Sequence, residues 1–323
     1  MKKFIVITSI FNPTEAISAF AKLKDYQLIV VGDKKSPSDW QHENVIYLDT
    51  NKQVELNSSL ANAIPFNHYG RKMMGYAYAI QQGADLIIDT DDDNIPYGDW
   101  GFPNFEGTYL QSEKDLGWVN IYHYFTDQHI WPRGLPLRNI RDRREKLKME
   151  GKSDTNVGIW QGLADEDPDV DAIYRLTSDT PCTFKKKDPV VLGVGTACPF
   201  NSQNTAIRKE LFPLLFLPSF VTFRFTDILR GIIAQPILWQ HGYRLGFTSA
   251  TVVQKRNVHD YFRDFESEVP MYLHTEKSFD AVLNAVGSGS VKDNLYSAYE
   301  ALRKINIVED REMTVLQEWL KVF

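Results

Sequence analysis

Four aspartates fall within five positions directly after an apolar run: Leu86-Ile87-Ile88 leads into Asp89, followed by Asp91, Asp92 and Asp93. Carboxylates crowded this closely repel one another, so the arrangement calls for a positive partner. A hard divalent cation bound to substrate phosphates fits that need. Mg²⁺ or Mn²⁺ takes one or two carboxylates and leaves its other positions to phosphate and water. Asp91 and Asp93 stand two apart, so on an extended backbone their side chains share a face. They form the pair expected to share a cation and a ribose, with Asp92 turned the other way. The bland alternative is a solvated turn, since Asp-Asn-x-Pro is ordinary turn chemistry.

Other residues group around this pair. Thr8 and Ser9 close the first apolar strand, and Asp33 follows the second, where a ribose or base contact and a plain turn are both natural. Arg71 and Lys72 sit near the amino end of the helical stretch that precedes the acidic strand, within reach of a diphosphate or at a solvated helix end. The tract from Gly193 through Gly195 to Asn204 combines glycines with amides, which lets backbone approach a substrate closely. Asp227, flanked by Phe225 and Ile228, caps a helix or serves as a general base in an apolar pocket. His259 is a candidate late metal ligand, although a lone histidine is more often structural.

These residues need a scaffold of strands and helices. Phe4–Ser9, Gln27–Val31, Val45–Leu48 and the run at Leu86 read as strands. Helical patterns after Asn12-Pro13 and over Tyr69–Gln82 separate them. Such alternation predicts an α/β fold with a mostly parallel sheet. In open sheets of this kind ligands bind at the carboxyl ends of the strands, where Asp89–Asp93 would lie. The segment after the first strand, Ser9-Ile10-Phe11-Asn12-Pro13, lacks the glycines of a dinucleotide fingerprint or P-loop. From Pro96 to Pro189 the alternation fades and the charged run Arg138–Lys152 reads as exposed. A helix follows near Asp227–His241, and charged helical periodicity marks the C-terminal end.

The 323 residues are 43% hydrophobic and 24% charged, and the formal charge is -6. That balance argues against broad nucleic-acid binding. Cys182 and Cys198 suggest neither a disulfide framework nor a zinc site. No run supplies the roughly 20 apolar residues of a membrane span. The expectation is a cytoplasmic chain with no transmembrane segment, with peripheral membrane association left open.

Tyr69-Gly70-Arg71-Lys72, Asp89-Thr90-Asp91-Asp92-Asp93-Asn94, Phe225-Thr226-Asp227 and Arg256-Asn257-Val258-His259-Asp260, in that order, resemble the STELLO-type glycosyltransferase-like family. More distantly they are similar to the reversibly glycosylated polypeptides, the UDP-arabinopyranose mutases. The patches Trp131–Pro136 and Gly158–Leu163 resemble that group's central loops, and Gly195–Asn204 its glycine-containing loop. The resemblance implies a GT-A-like nucleotide-sugar-binding sheet over residues 1–273, followed by a helical segment over 274–323. It implies a metal-dependent glycosyltransferase with Mn²⁺ or Mg²⁺, a UDP-linked nucleotide-sugar donor and a saccharide or other hydroxyl acceptor. Asp91, Asp93 and His259 would hold the metal. Thr8, Ser9, Asp33, Arg71, Lys72, Asp91 and Asp92 would face the donor. Trp160, Gly195 and Asn204 would face the acceptor, and Asp227 would act as the base. A nucleotide-sugar mutase and a non-catalytic donor-binding subunit are the alternatives. A Golgi role does not carry over from the plant proteins, because this chain shows no anchor.

Overall fold

A computed structural model describes residues 1–141, 147–178, 180–255 and 260–323. The amino-terminal part is built as the alternation predicts. Strands β1 (Lys3–Thr8), β2 (Gln27–Val31), β3 (Val45–Leu48) and β4 (Leu86–Thr90) pair in parallel, in the order β3-β2-β1-β4. Helices α1 (Glu15–Phe20), α2 (Thr50–Leu56), α3 (Ser58–Ala63) and α4 (Lys72–Gln81) occupy the crossovers. All five residues of β4 are buried, as a central parallel strand should be. Thr14 caps α1 by accepting from the Ile17 amide, so the helix start read from Asn12–Glu15 forms there. Helix α4 lies close on the sheet because Gly75 has no side chain. A Cβ there would stand 2.5 Å from Val6 Cγ1 and 2.7 Å from Val31 Cγ2.

Beyond β4 antiparallel strands join the parallel ones. The further strands are β5 (Asn94–Pro96), β6 (Glu106–Ser112), β7 (Gly117–Trp118), β8 (Met149–Asp165), β9 (Val190–Val191), β10 (Thr196–Ala197), β11 (Asn204–Arg208) and β12 (Arg244–Gln254), of which β7 and β10 pair with each other in a separate two-stranded sheet. β11 runs antiparallel to both β4 and β8, while β8 pairs antiparallel with β6 and parallel with β12. Short helices α5 (Tyr122–Phe125) and α6 (Ala172–Thr177) lie between these strands, followed by α7 (Thr226–Gln240). The sheet buries both faces. Phe4 and Val6 face α4 and the carboxy-terminal helices, whereas Ile5 and Ile7 face α1 and Trp40.

The chain closes with α8 (Tyr261–Ala285), α9 (Val291–Lys304) and α10 (Asp310–Leu320). A boundary between 273 and 274 would fall inside the 25-residue α8. Leu295, Tyr299, Leu316 and Trp319 share one core with Met73, Phe216 and Ile233, so the final helices are part of the main body. Trp319 Nε1 donates to the Pro213 carbonyl at 2.9 Å.

Two buried carboxyls give the fold a pH dependence. Burial pushes Asp171, under Trp131, up to about 7, and does the same to Glu312 of α10. Folding therefore favours their protonated forms. That contribution is complete below the unfolded carboxyl range near pH 4 and is lost as pH rises through about 7. The melting temperature should fall between pH 5 and pH 8, and Glu312→Gln should flatten part of the fall. Thermal melts across that range would show it; a melting temperature that rises over the interval would refute it.

Candidate active site

At the carboxyl ends of β1, β2 and β4 lies a cavity of about 330 Å³, within the size range of small-molecule sites. Thr8, Ser9, Asp33, Asp91, Asp92 and Asp93 line one part of it. Arg133, Asp169, Gln203, Arg224, Asp227 and Gln254 line the rest.

Asp89 lies behind this surface and serves structure. Its carboxylate takes Lys72 Nζ at 2.6 Å on Oδ1 and Arg230 Nη1 at 2.6 Å on Oδ2, with all three side chains buried. Burial alone would raise its carboxyl, but the two cations outweigh it and hold Asp89 below the usual range. Lys72 Nζ also donates to Asp91 Oδ1 and to Tyr69 Oη, each at 3.0 Å. Its three donors are thereby spent, so the expected diphosphate contact from Lys72 is corrected to a structural role. Arg71 lines the cavity but is also tied into the fold. Its guanidinium donates to Gln53 Oε1 and to the carbonyls of Ala61 and Ile64, closing the end of α3. Both cations look available in the sequence because nothing there reveals partners as far as 18 and 19 residues away.

Asp91, Asp92 and Asp93 all line the cavity, Asp92 on the same side as its neighbours. The chain bends there, with the Asn94 amide pointing to the Asp91 carbonyl, and strand alternation does not apply. The bonds to Asp91 from Lys72 Nζ and from Tyr69 Oη, the latter at 2.8 Å, both land on Oδ1. Asp92 accepts from Ser9 Oγ, and its carbonyl accepts from Thr14 Oγ1. Asp93 accepts from Gln254 Nε2 at 3.0 Å on Oδ2. Burial raises the carboxyls of Asp91 and Asp92 above the usual range; for Asp91 nearby Lys72 opposes the rise and Asp89 adds to it. Asp33 accepts from the His68 amide on Oδ2 at 3.2 Å, which ties the end of β2 to the segment before α4.

Across the cavity Asp227 sits in the first turn of α7. Arg133 Nη2 donates to it at 2.9 Å and 3.1 Å, and the Ser202 amide donates at 3.3 Å. Arg133 Nε binds Asp169 at 2.7 Å, so one guanidinium joins both acids. Against the pull of burial, these acids raise the Arg133 guanidinium well above its ordinary value. Asp169 also accepts from Asn201 Nδ2 at 2.7 Å. Arg133 and Asp169 have no place among the sequence candidates. The available signals were the Trp-Pro-Arg-Gly turn, whose Gly134 has φ +89°, and the acid-rich stretch from Asp165 to Asp171.

The expected acceptor residues lie elsewhere. Trp160 is fully buried in β8, with Gly246 beneath its ring, and Asn204 binds Thr251 and Trp100 inside the sheet. Gly195 stands against Asp115 before β10. None of the three lines the cavity; the amide-rich tract contributes Gln203 to the wall and the Ser202 amide to Asp227 instead. His259 lies outside the described residues. Among the described residues no three His, Cys, Asp or Glu side chains form a metal-holding group. The acidic turn offers hard carboxylate oxygens, a donor set suited to Mg²⁺ or Mn²⁺ shared with phosphate.

The family of STELLO glycosyltransferases matches residues 224–321. The probable glycosyltransferase STELLO2 of Arabidopsis thaliana is 32% identical over 297 residues, 84% of this chain. Over most of its length the chain is similar to the STELLO glycosyltransferases. STELLO1 of the same plant is 33% identical over 265 residues, 75% of this chain. The chain spans 38% of the length of STELLO2 and 34% of STELLO1. The crystal structure of M. tuberculosis glucosyl-3-phosphoglycerate synthase is 12% identical, with a TM-score of 0.41 over 85% of this chain and 80% of that one. The STELLO match contains α7 with Asp227 and all three final helices. Among the described residues of this chain, no helix is long and apolar enough to cross a membrane.

Proposed function

We propose that the cavity takes a nucleotide-sugar donor, UDP-linked, and that the chain transfers its glycosyl group to a saccharide or other hydroxyl acceptor. The observation that carries this reading is the two-sided cavity: the acidic turn lies at the carboxyl ends of parallel strands, and Asp227 lies across from it. Among the lining residues six aspartates face four cations. Arg71 is bound to α3, while Arg133 and Arg224 are paired with Asp169 and Glu268. A bare diphosphate would meet net repulsion there, which favours its entry together with a divalent cation.

Asp91 and Asp93 would hold Mn²⁺ or Mg²⁺, which supplies Lewis-acid charge stabilisation to a departing diphosphate. Thr8, Ser9 and Asp33 bind the nucleoside part of the donor. In the transfer the acceptor oxygen forms a bond to the anomeric carbon, and the bond from that carbon to the diphosphate oxygen breaks. The acceptor proton passes to a carboxylate oxygen of Asp227 if configuration inverts. Arg133 fixes that carboxylate, so Asp227 cannot swing away from the acceptor.

A thermal-shift screen of nucleoside diphosphates, with and without Mn²⁺, tests the reading. Ligand at 100 times its dissociation constant stabilises by about 2.7 kcal/mol, a readily measured shift. The expected result is a shift for the uridine series that requires Mn²⁺. No shift with any nucleotide would remove the donor site.

A further inference from the structure

We propose that Phe223 is the platform on which the acceptor's apolar ring face rests, and that Glu312 and Glu268 hold this platform from behind. The inference deepens the proposed transfer reaction and rests on it. Phe223 is 56% exposed, yet it lines the same cavity as Asp91 and Asp227. An exposed phenyl ring at a polar site costs apolar hydration unless a ligand covers it. Tyr69, which also binds Asp91, meets the ring edge-on with centroids 5.9 Å apart. Phe223 precedes Asp227 by four residues, which puts it on the side of the cavity assigned to the acceptor. Phe11, also exposed, follows β1 and the donor residues Thr8 and Ser9.

The segment carrying Phe223 is fastened by two buried acids from the carboxy-terminal helices. Glu312 of α10 accepts the Ser219 amide at 2.8 and 2.9 Å and the Phe220 amide at 2.7 Å. Glu268 of α8 accepts Arg224 Nε at 2.9 Å, and the Arg224 amide donates to Ser267 Oγ at 3.2 Å. The Arg224 carbonyl in turn accepts from Arg133, the partner of Asp227. Burying two glutamates is expensive; the bonds of Glu312 and the Glu268 Oε1 bond to Arg224 meet on residues 219–224 flanking the exposed ring, while Glu268 Oε2 accepts from the Ala172 amide and Tyr272 Oη. A pyranose with axial hydrogens gathered on one face is the ligand chemistry that such a ring accepts, through apolar contact without directional bonds.

The test uses the full chain saturated with UDP and Mn²⁺, and saturation-transfer NMR with methyl β-glucopyranoside, methyl β-galactopyranoside and methyl α-mannopyranoside as probes. Ring-proton transfer to at least one glycoside is expected in the native protein. It should drop at least tenfold in Phe223→Ala and return in Phe223→Trp, with the nucleotide thermal shift unchanged in both. Glu312→Gln should weaken the signal while Phe223 remains. Unchanged transfer in Phe223→Ala overturns the platform, and so does absence of transfer to every glycoside in a nucleotide-bound native protein. Loss of the nucleotide shift itself would instead strike the donor site.

Discussion

Asp89→Ala is expected to cost the protein most of its stability. The substitution leaves Lys72 and Arg230 buried together without the carboxylate that joins them at 2.6 Å on either side. With Asp91 counted, two cations and two anions balance in this cluster; without Asp89 a net positive charge stays inside. Removing one partner of a buried pair typically costs about 3–5 kcal/mol, against a total of about 5–15 kcal/mol for a folded domain. The two cations also lie in different elements, α4 and α7, so their repulsion pushes apart the helices under both sides of the cavity. Urea unfolding followed by circular dichroism would report a large drop in midpoint, or no cooperative transition at all. An unfolding free energy within about 0.5 kcal/mol of the native protein's, the usual range for surface changes, would contradict the structural assignment of Asp89.

Asp93→Ala should leave the fold intact and remove the metal-dependent response. Asp93 lies in the acidic turn at the cavity and binds Gln254 at its surface, away from the buried cluster around Asp89. Loss of a group that only orients a metal ligand typically costs about 10–100-fold, so loss of a ligand should cost at least about 100-fold in Mn²⁺-dependent nucleotide affinity. Turnover of the donor should fall by at least the same factor. Calorimetric titration of UDP in Mn²⁺ gives the affinity directly. Native affinity in Asp93→Ala, with the Mn²⁺ requirement preserved, would move the cation away from the acidic turn.

The parallel half of the fold is legible because local rules decide it. The apolar runs at Phe4, Leu28 and Leu86 are short and continuous, as strands buried on both faces must be, and Thr14 announces its helix. The mixed half resists reading for a physical reason. Gly158-Ile159-Trp160-Gln161-Gly162-Leu163 looks like a glycine-bounded loop, yet it forms the middle of β8. Both glycines answer crowding from distant residues. A Cβ at Gly158 would stand 2.4 Å from Leu211 Cδ1, and one at Gly162 would stand 2.4 Å from Asn204 Nδ2. The same limit applies to the site. The acidic turn is visible because its members adjoin in the chain, whereas Arg133 and Asp227 are 94 positions apart. Arg71 and Lys72 carry the right charge for a phosphate, and only the fold reveals that Gln53, Asp89 and Asp91 already claim them.

Helix α8 has a bearing on how such a protein can be rearranged by descent. It begins beside the cavity, where Ser267 and Glu268 secure Arg224, and it ends by delivering the chain to α9 and α10. One unbroken rod therefore serves as both wall support and connector. An exchange of tails between related genes would cut that rod wherever residue 274 was taken as the join, and the incoming half would need the register that seats Met271, Thr275 and Phe279. The carboxy-terminal helices and the wall of the site are thus joined by one continuous helix.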